Sequence, residues 1–90
     1  MDFEIRYNKT FLKELAKIPA KQRVKIEYFV FEEITQFKSA DQIPQLKKLK
    51  GFNHFYRIRF GNYRAGVRIQ AGEIIFERIL HRKDIYNYYP

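Results

Sequence analysis

The dipeptide Gly61-Asn62, set between two runs of alternating residues, constrains the fold of this chain more than any other feature. Residues Phe55 to Phe60 and Tyr63 to Ile69 have the composition of strands, and a two-residue connection between strands needs positive φ angles that glycine and asparagine tolerate. Such a turn permits one register. Phe60 then faces Tyr63, Arg59 faces Arg64, Ile58 faces Ala65, Arg57 faces Gly66 and Tyr56 faces Val67. Side chains alternate along a strand, so Tyr56, Ile58, Phe60, Tyr63, Ala65, Val67 and Ile69 share one face, directed towards a core. Arg57, Arg59, Arg64 and Arg68 share the other.

Four guanidinium groups on one sheet face call for a reason. Like charges directly opposed across a ladder cost roughly 0.2–1 kcal/mol, so the pairing of Arg59 with Arg64 opposes stability. Gly66, opposite Arg57, is expected to leave a bare spot where a ligand can approach the backbone. The charge of the whole chain points the same way. Its formal net charge is +8, and no acidic residue occurs between Asp41 and Glu73, where Lys47, Lys48, Lys50, Arg57, Arg59, Arg64 and Arg68 fall. Charge concentrated in this manner implies a polyanionic partner, and the planar fork of arginine suits phosphate. Phe55 on the same face, with Tyr86, Tyr88 and Tyr89 near the C-terminus, offers rings on which exposed bases could stack.

The remaining segments supply a core for the hairpin. Asp2 to Tyr7 reads as a strand with Phe3, Ile5 and Tyr7 on one side. Asn8 is placed to cap a helix whose apolar stripe is Phe11, Leu12, Leu15 and Ala16, ended by Pro19. A second helix is expected from about Ala20 to Lys38, with Val24, Ile26, Phe29, Val30, Ile34 and Phe37 at helical spacing. Ser39 to Gly51 reads as a basic connecting loop, and Glu73 to Leu80 as a last strand after the turn Gln70-Ala71-Gly72. The expectation is one α+β domain over residues 1–90. Its order is β-α-α-β-β-β, with two helices on one face of a mainly antiparallel four-stranded sheet. With 90 residues and no cysteine, the chain has neither the length for a second core nor the thiols for disulfides or a zinc-thiolate site. The start, MDFEIRYNKT, lacks the apolar region of a secretory leader, and no run is long enough for a membrane span. A cytoplasmic protein without membrane contact is expected.

Most catalytic arrangements are absent. There is no cysteine nucleophile, Ser39 is the only serine, and His54 and His81 lack the clustered acids of a metal site. Neither a metal nor a cofactor is expected. One reaction remains open to such a chain, the cleavage of RNA by its own 2′-hydroxyl, for which the protein supplies cations, alignment and proton transfer. Arg57, Arg59, Arg64, Arg82 and His81 meet that list. His81 is the first candidate for proton transfer, since a histidine titrates near neutrality.

The run LKKLKGFNHFYRIRFGNYRAGVRI and the ending ERILHRKDIY resemble the RelE superfamily of bacterial and archaeal toxins, and the order of elements agrees over essentially the whole chain. The resemblance implies a microbial-RNase-like α/β sandwich and a metal-independent endoribonuclease that cuts messenger RNA in the ribosomal A site. It also implies a cognate antitoxin as partner. Arg57 and Arg59 match the alternate basic residues of the family's hairpin, Arg64 the arginine after a tyrosine, and Arg82 and Tyr86 the C-terminal motif. On this reading Arg57, Arg59, Arg64, His81, Arg82 and Tyr86 form the catalytic set, while Lys47, Lys48, Lys50, Phe55 and Arg68 bind RNA. The best-known member of the family has lysines at these two positions, whereas Arg57 and Arg59 hold their protons too tightly to act readily as bases. Two alternatives stay open: a ParE-like inhibitor of DNA gyrase with the same fold, and a module that binds RNA without cutting it.

Overall fold

The computed structural model describes residues 3–90, so Asp2, expected at the start of the first strand, lies outside the described residues. The elements in chain order are β1 (Glu4–Tyr7), α1 (Lys9–Ala16), α2 (Ala20–Phe31), β2 (Leu46–Lys48), β3 (Phe55–Phe60), β4 (Tyr63–Gln70), β5 (Glu73–His81) and α3 (Ile85–Tyr88). The strands form one sheet in the order β1-β5-β4-β3-β2. β2 through β5 run antiparallel as a meander, and β1 lies parallel to β5 at the far edge. The α+β class is as expected, but the sheet has five strands rather than four. The additional strand lies inside the segment read as a basic loop, where Leu46 faces Ile58, Lys47 faces Arg57 and Lys48 faces Tyr56. Three residues, two of them lysine, give too short a period to register as a strand, and lysine is a common edge-strand residue because it discourages further pairing.

The hairpin register is the one required by the two-residue turn, from Phe60 opposite Tyr63 to Tyr56 opposite Val67. Only Gly61 of that turn takes a positive φ, at 57°; the following hairpin uses Ala71 and Gly72, both with positive φ. Ile58, Ala65 and Val67 are buried on the helix-bearing face, where they meet Phe11, Leu15, Ile18, Ile26, Phe29, Val30 and Ile34. Phe76 is the centre of this core. It is fully buried, its ring stacks on Tyr7 at 5.4 Å between centroids, and it tilts against Phe11 at 5.2 Å. The Tyr7 hydroxyl donates to the Val30 carbonyl, and burial together with nearby Glu32 raises the Tyr7 pKa.

The helices depart from the expected pattern in three places. α2 stops at Phe31 and is followed by a 3₁₀ turn over Glu33–Gln36, which still delivers Ile34 to the core. Val24 is 60% exposed, and Leu12 and Ala16 of α1 also face outwards, so the true stripes are narrower than those read from spacing. Asn8 stands at the N-cap of α1, but its side chain makes no capping hydrogen bond. Beyond Phe76, β5 has outrun β1, and Glu14 of α1 takes over its open edge. The Glu14 carboxylate accepts from the Ile79 backbone N–H at 3.0 Å and forms a forked pair with Arg78, whose pKa the hydrogen bond raises. Among the described residues no helix is long and apolar enough to cross a membrane.

Truncating the core at its centre should be costly. Phe76→Ala is expected to lower stability by about 3–5 kcal/mol in urea unfolding, whereas Val24→Lys, at an exposed position, should stay within about 0.5 kcal/mol. Equal losses for the two would contradict the placement of α2.

Candidate nucleic-acid interface

The face opposite the helices is a groove floored by β2, β3 and β4. Because Lys47 lies across from Arg57, and Arg59 across from Arg64, these four residues come from three adjacent strands onto one surface. Together with Lys48, Lys50, Gln45, Leu46, Leu49 and Tyr86 they line a hollow of about 670 Å³. No carboxylate lines it, and none of the six cations belongs to an ion pair among the described residues. The positive potential of the groove is therefore uncompensated by local acids.

Individual side chains are held by the fold. Arg64 folds back on the turn that set the register, donating to the carbonyls of Gly61 at 2.6 Å and Tyr63 at 3.0 Å. Arg57 donates from Nη2 to the Tyr89 carbonyl at 3.1 Å, and its guanidinium carbon lies 4.4 Å from the centre of the Tyr86 ring. Its Nε is buried without an acceptor. Arg59 and Tyr86 are exposed to solvent.

Seven of the residues singled out from sequence thus meet in the groove: Arg57, Arg59, Arg64, Tyr86, Lys47, Lys48 and Lys50. The other four lie elsewhere. Arg68 shares the arginine face but pairs with Glu77 at 3.2 Å, so an acid from β5 reaches a face that the hairpin alone leaves acid-free. Phe55 is engaged in packing, its ring 5.8 Å from Tyr89 and 6.0 Å from Phe52, and the more exposed ring there is Phe52. Arg82 is exposed just past β5, its backbone N–H bonded to the Asn62 carbonyl at 2.7 Å, beside the turn that holds Arg64.

His81 lies apart from the groove. It lies opposite Tyr63, with the two rings edge to face at 5.7 Å, in a small hollow shared with Glu14, Lys17 and Ile18 on the helix-bearing side. Its Nδ1 accepts from the Lys83 backbone N–H at 3.2 Å. Regular alternation from Ile74 and Phe76 would bring it to the arginine face. However, β5 carries one residue more than β4 between Arg78, which faces Gly66, and Phe76, which faces Val67. This bulge inverts the alternation beyond Glu77 and turns His81 away from the groove. The groove itself contains neither a histidine nor a carboxylate.

The expected bare spot at Gly66 is also filled. The Tyr89 ring covers it so closely that a Cβ there would lie 2.6 Å from ring carbons. Tyr89 joins Leu49 and Ile85 in a second buried cluster, with Phe55 and Leu80 packed against it. The C-terminal tyrosines therefore divide: Tyr86 and Tyr88 are exposed, while Tyr89 is buried. Its hydroxyl donates to Glu77 at 2.8 Å, and burial with this hydrogen bond pushes its pKa well above the ordinary phenol range. Neither the Glu77 bulge nor the Glu14 edge contact has a signal in the sequence, because the first lies in the pairing of β5 with β4 and the second depends on where β1 stops beside β5.

Comparison with known proteins agrees with this architecture. A family model described as the ParE toxin of the type II toxin-antitoxin system parDE matches residues 5–86. Toxin RelE3 of Methanocaldococcus jannaschii is 41% identical over 88 residues, covering 97% of this chain and 99% of that protein. The toxin-antitoxin complex RelB-RelE from Methanococcus jannaschii contains a chain with 41% identity and a TM-score of 0.79, covering 94% of this chain and 99% of that one. The RelBE2 complex of Mycobacterium tuberculosis, at 21% identity and a TM-score of 0.70 over 91% of this chain and all of the other, shares the fold. A meander with two helices on one face, and relatives of matching length throughout, place the chain in a single group: it belongs to the RelE/ParE superfamily of type II toxin-antitoxin toxins.

Proposed function

We propose that this toxin is a metal-independent endoribonuclease that cuts messenger RNA in the ribosomal A site, with the groove over β2, β3 and β4 as its RNA site. The observation that carries the reading is the set of six cations lining a groove with no acid, beside the exposed Tyr86 ring. In the reaction, the RNA 2′-oxygen attacks the adjacent phosphorus and the 5′-oxygen leaves, giving a 2′,3′-cyclic phosphate and a 5′-hydroxyl. Charge accumulates on the non-bridging oxygens, where preorganised guanidinium groups act most strongly. Arg57, Arg59 and Arg64, which line the groove, take this role. Tyr86 offers its ring to a base, and the exposed Arg82, outside the groove lining but beside the turn that holds Arg64, is assigned to the leaving oxygen. With His81 on the other face, proton transfer falls to the groove's lysines or to Tyr86, the titratable side chains there other than arginine.

A cognate antitoxin is the second expected partner, as the RelB-RelE relative at 41% identity is a toxin-antitoxin complex. A chain of net charge +8 suits an acidic inhibitor that covers the groove. The family model carries the name ParE, and the same fold serves gyrase inhibition, so the target needs its own experiment.

Added to translating ribosomes, the purified toxin should create new 5′-hydroxyl ends within the message, mapped by primer extension. Arg57→Ala, Arg64→Ala and Arg82→Ala should each lower the cutting rate by about 100-fold or more with the fold intact. Gyrase inhibition without ribosome-dependent cuts would refute this reading in favour of a ParE-like target, and salt-sensitive RNA binding without any cut would reduce the groove to a binding module.

A separate prediction concerns the opposed pair. Arg59→Thr should raise stability by about 0.2–1 kcal/mol by relieving the repulsion from Arg64. It should also flatten the logarithmic salt dependence of single-stranded RNA binding by about 0.7. A variant that loses stability, or keeps the full salt slope, would show that Arg59 is not held against Arg64 for phosphate.

A further inference from the structure

A buried residue at the end of the chain touches the sheet at three points beside the RNA groove. Tyr89 lays its ring on Gly66, donates its hydroxyl to Glu77, and offers its backbone carbonyl to Arg57. These contacts are linked by register. Gly66 is the residue opposite Arg57, so the absent side chain makes room for the ring next to that arginine. Glu77 is the additional residue of the β5 bulge, and bulges commonly re-aim a side chain. Here Glu77 meets the Tyr89 hydroxyl at 2.8 Å and Arg68 at 3.2 Å, which ties the phenol to the sheet.

The consequence falls on Arg57. A long, flexible side chain is an effective electrostatic catalyst only if its charge is already in place when the transition state forms. Arg57 is held on one side by the Tyr89 carbonyl at 3.1 Å and on another by the Tyr86 ring at 4.4 Å, three residues earlier in the same segment. Tyr89 and Tyr86 belong to one turn of chain, since the Tyr89 N–H donates to the Ile85 carbonyl. Anchoring Tyr89 therefore fixes both groups that hold the guanidinium.

We propose that Tyr89 is a positioning residue, which through its bond to Glu77 and its seat on Gly66 sets the placement of the Arg57 guanidinium and of Tyr86 in the groove. This rests on the reading of the groove as the RNA site. Tyr89 itself does not line the groove and acts through Arg57.

The test is a double-mutant cycle on the full chain, combining single-turnover cleavage of ribosome-bound message with nuclear magnetic resonance of the Arg57 Nε–H. Tyr89→Phe removes only the hydroxyl. It should slow cleavage about tenfold, with half-saturation changed less than about twofold. In the Arg57→Ala background it should cause no further loss. The Arg57 Nε–H signal, displaced by the Tyr86 ring in the wild type, should move towards the position of a free arginine, while signals of the core residues Ile58, Ile74 and Ile79 stay in place. Gly66→Ala, which drives a Cβ into the ring, should slow cleavage more than Tyr89→Phe. If Arg57→Ala is slow but Tyr89→Phe cuts at the wild-type rate, leaves the Arg57 signal unmoved, or adds its full effect to Arg57→Ala, the positioning role is wrong and the groove reading stands. If Arg57→Ala itself cuts as the wild type, both fall.

Discussion

The pairing of β3 with β4 is the constraint on which the remainder of the molecule depends, because one alternation serves two purposes at once. It places Ile58, Ala65 and Val67 under the helices and Arg57, Arg59 and Arg64 on the other face. A slip of one residue would exchange the faces, burying guanidinium groups in the core and exposing the aliphatic side chains. Burial of a large apolar side chain contributes about 1.5–3 kcal/mol, while the Arg59–Arg64 repulsion costs roughly 0.2–1 kcal/mol. The core therefore fixes the register with energy to spare, and the unfavourable charge pair is carried by a scaffold that does not need it.

Two further devices adapt the sheet to its charged face. Glu14 substitutes for a strand at the open edge of β5, bonding Ile79 and Arg78 where β1 has ended. On the reverse side, α3 and the residues after it bring Ile85 and Tyr89 over the sheet, so part of the arginine face becomes a second small core. This cover stops short of the groove. Arg68, beneath it, is neutralised by Glu77, whereas Arg59, Arg64 and the lysines of the β2 segment are left without acids. On the proposed reading, the division between a sealed half and an open half of one sheet face sets where a phosphate backbone would lie.

Much of this was legible from the residues alone. A glycine-led turn between alternating runs specified the hairpin and its register, and the acid-free stretch from Lys47 to Arg68 identified the charged surface. Local pattern was insufficient wherever a contact between distant segments decided the outcome. β2 is a strand because Leu46 reaches the core beside Ile58, which three residues of sequence do not announce. Val24 counts in the α2 stripe read from the residues yet faces solvent, because it stands two residues before Ile26 and five before Phe29, which puts it on the other side of the helix. His81 follows the inversion introduced at Glu77, a bulge without a glycine to mark it. Family resemblance supplied the toxin class, while the arrangement of Tyr89 on Gly66 emerged only in three dimensions.

The central claim is that the open half of the sheet face grips the RNA backbone. It is tested most directly by titrating the isotopically labelled chain with a single-stranded RNA blocked by 2′-O-methyl groups, which can bind but cannot be cut. The account predicts resonance shifts confined to the β2, β3 and β4 surface, at Lys47, Arg57, Arg59, Arg64 and Tyr86. Shifts concentrated at the opposite hollow of Glu14, Lys17 and His81, with the arginine signals unmoved, would contradict it.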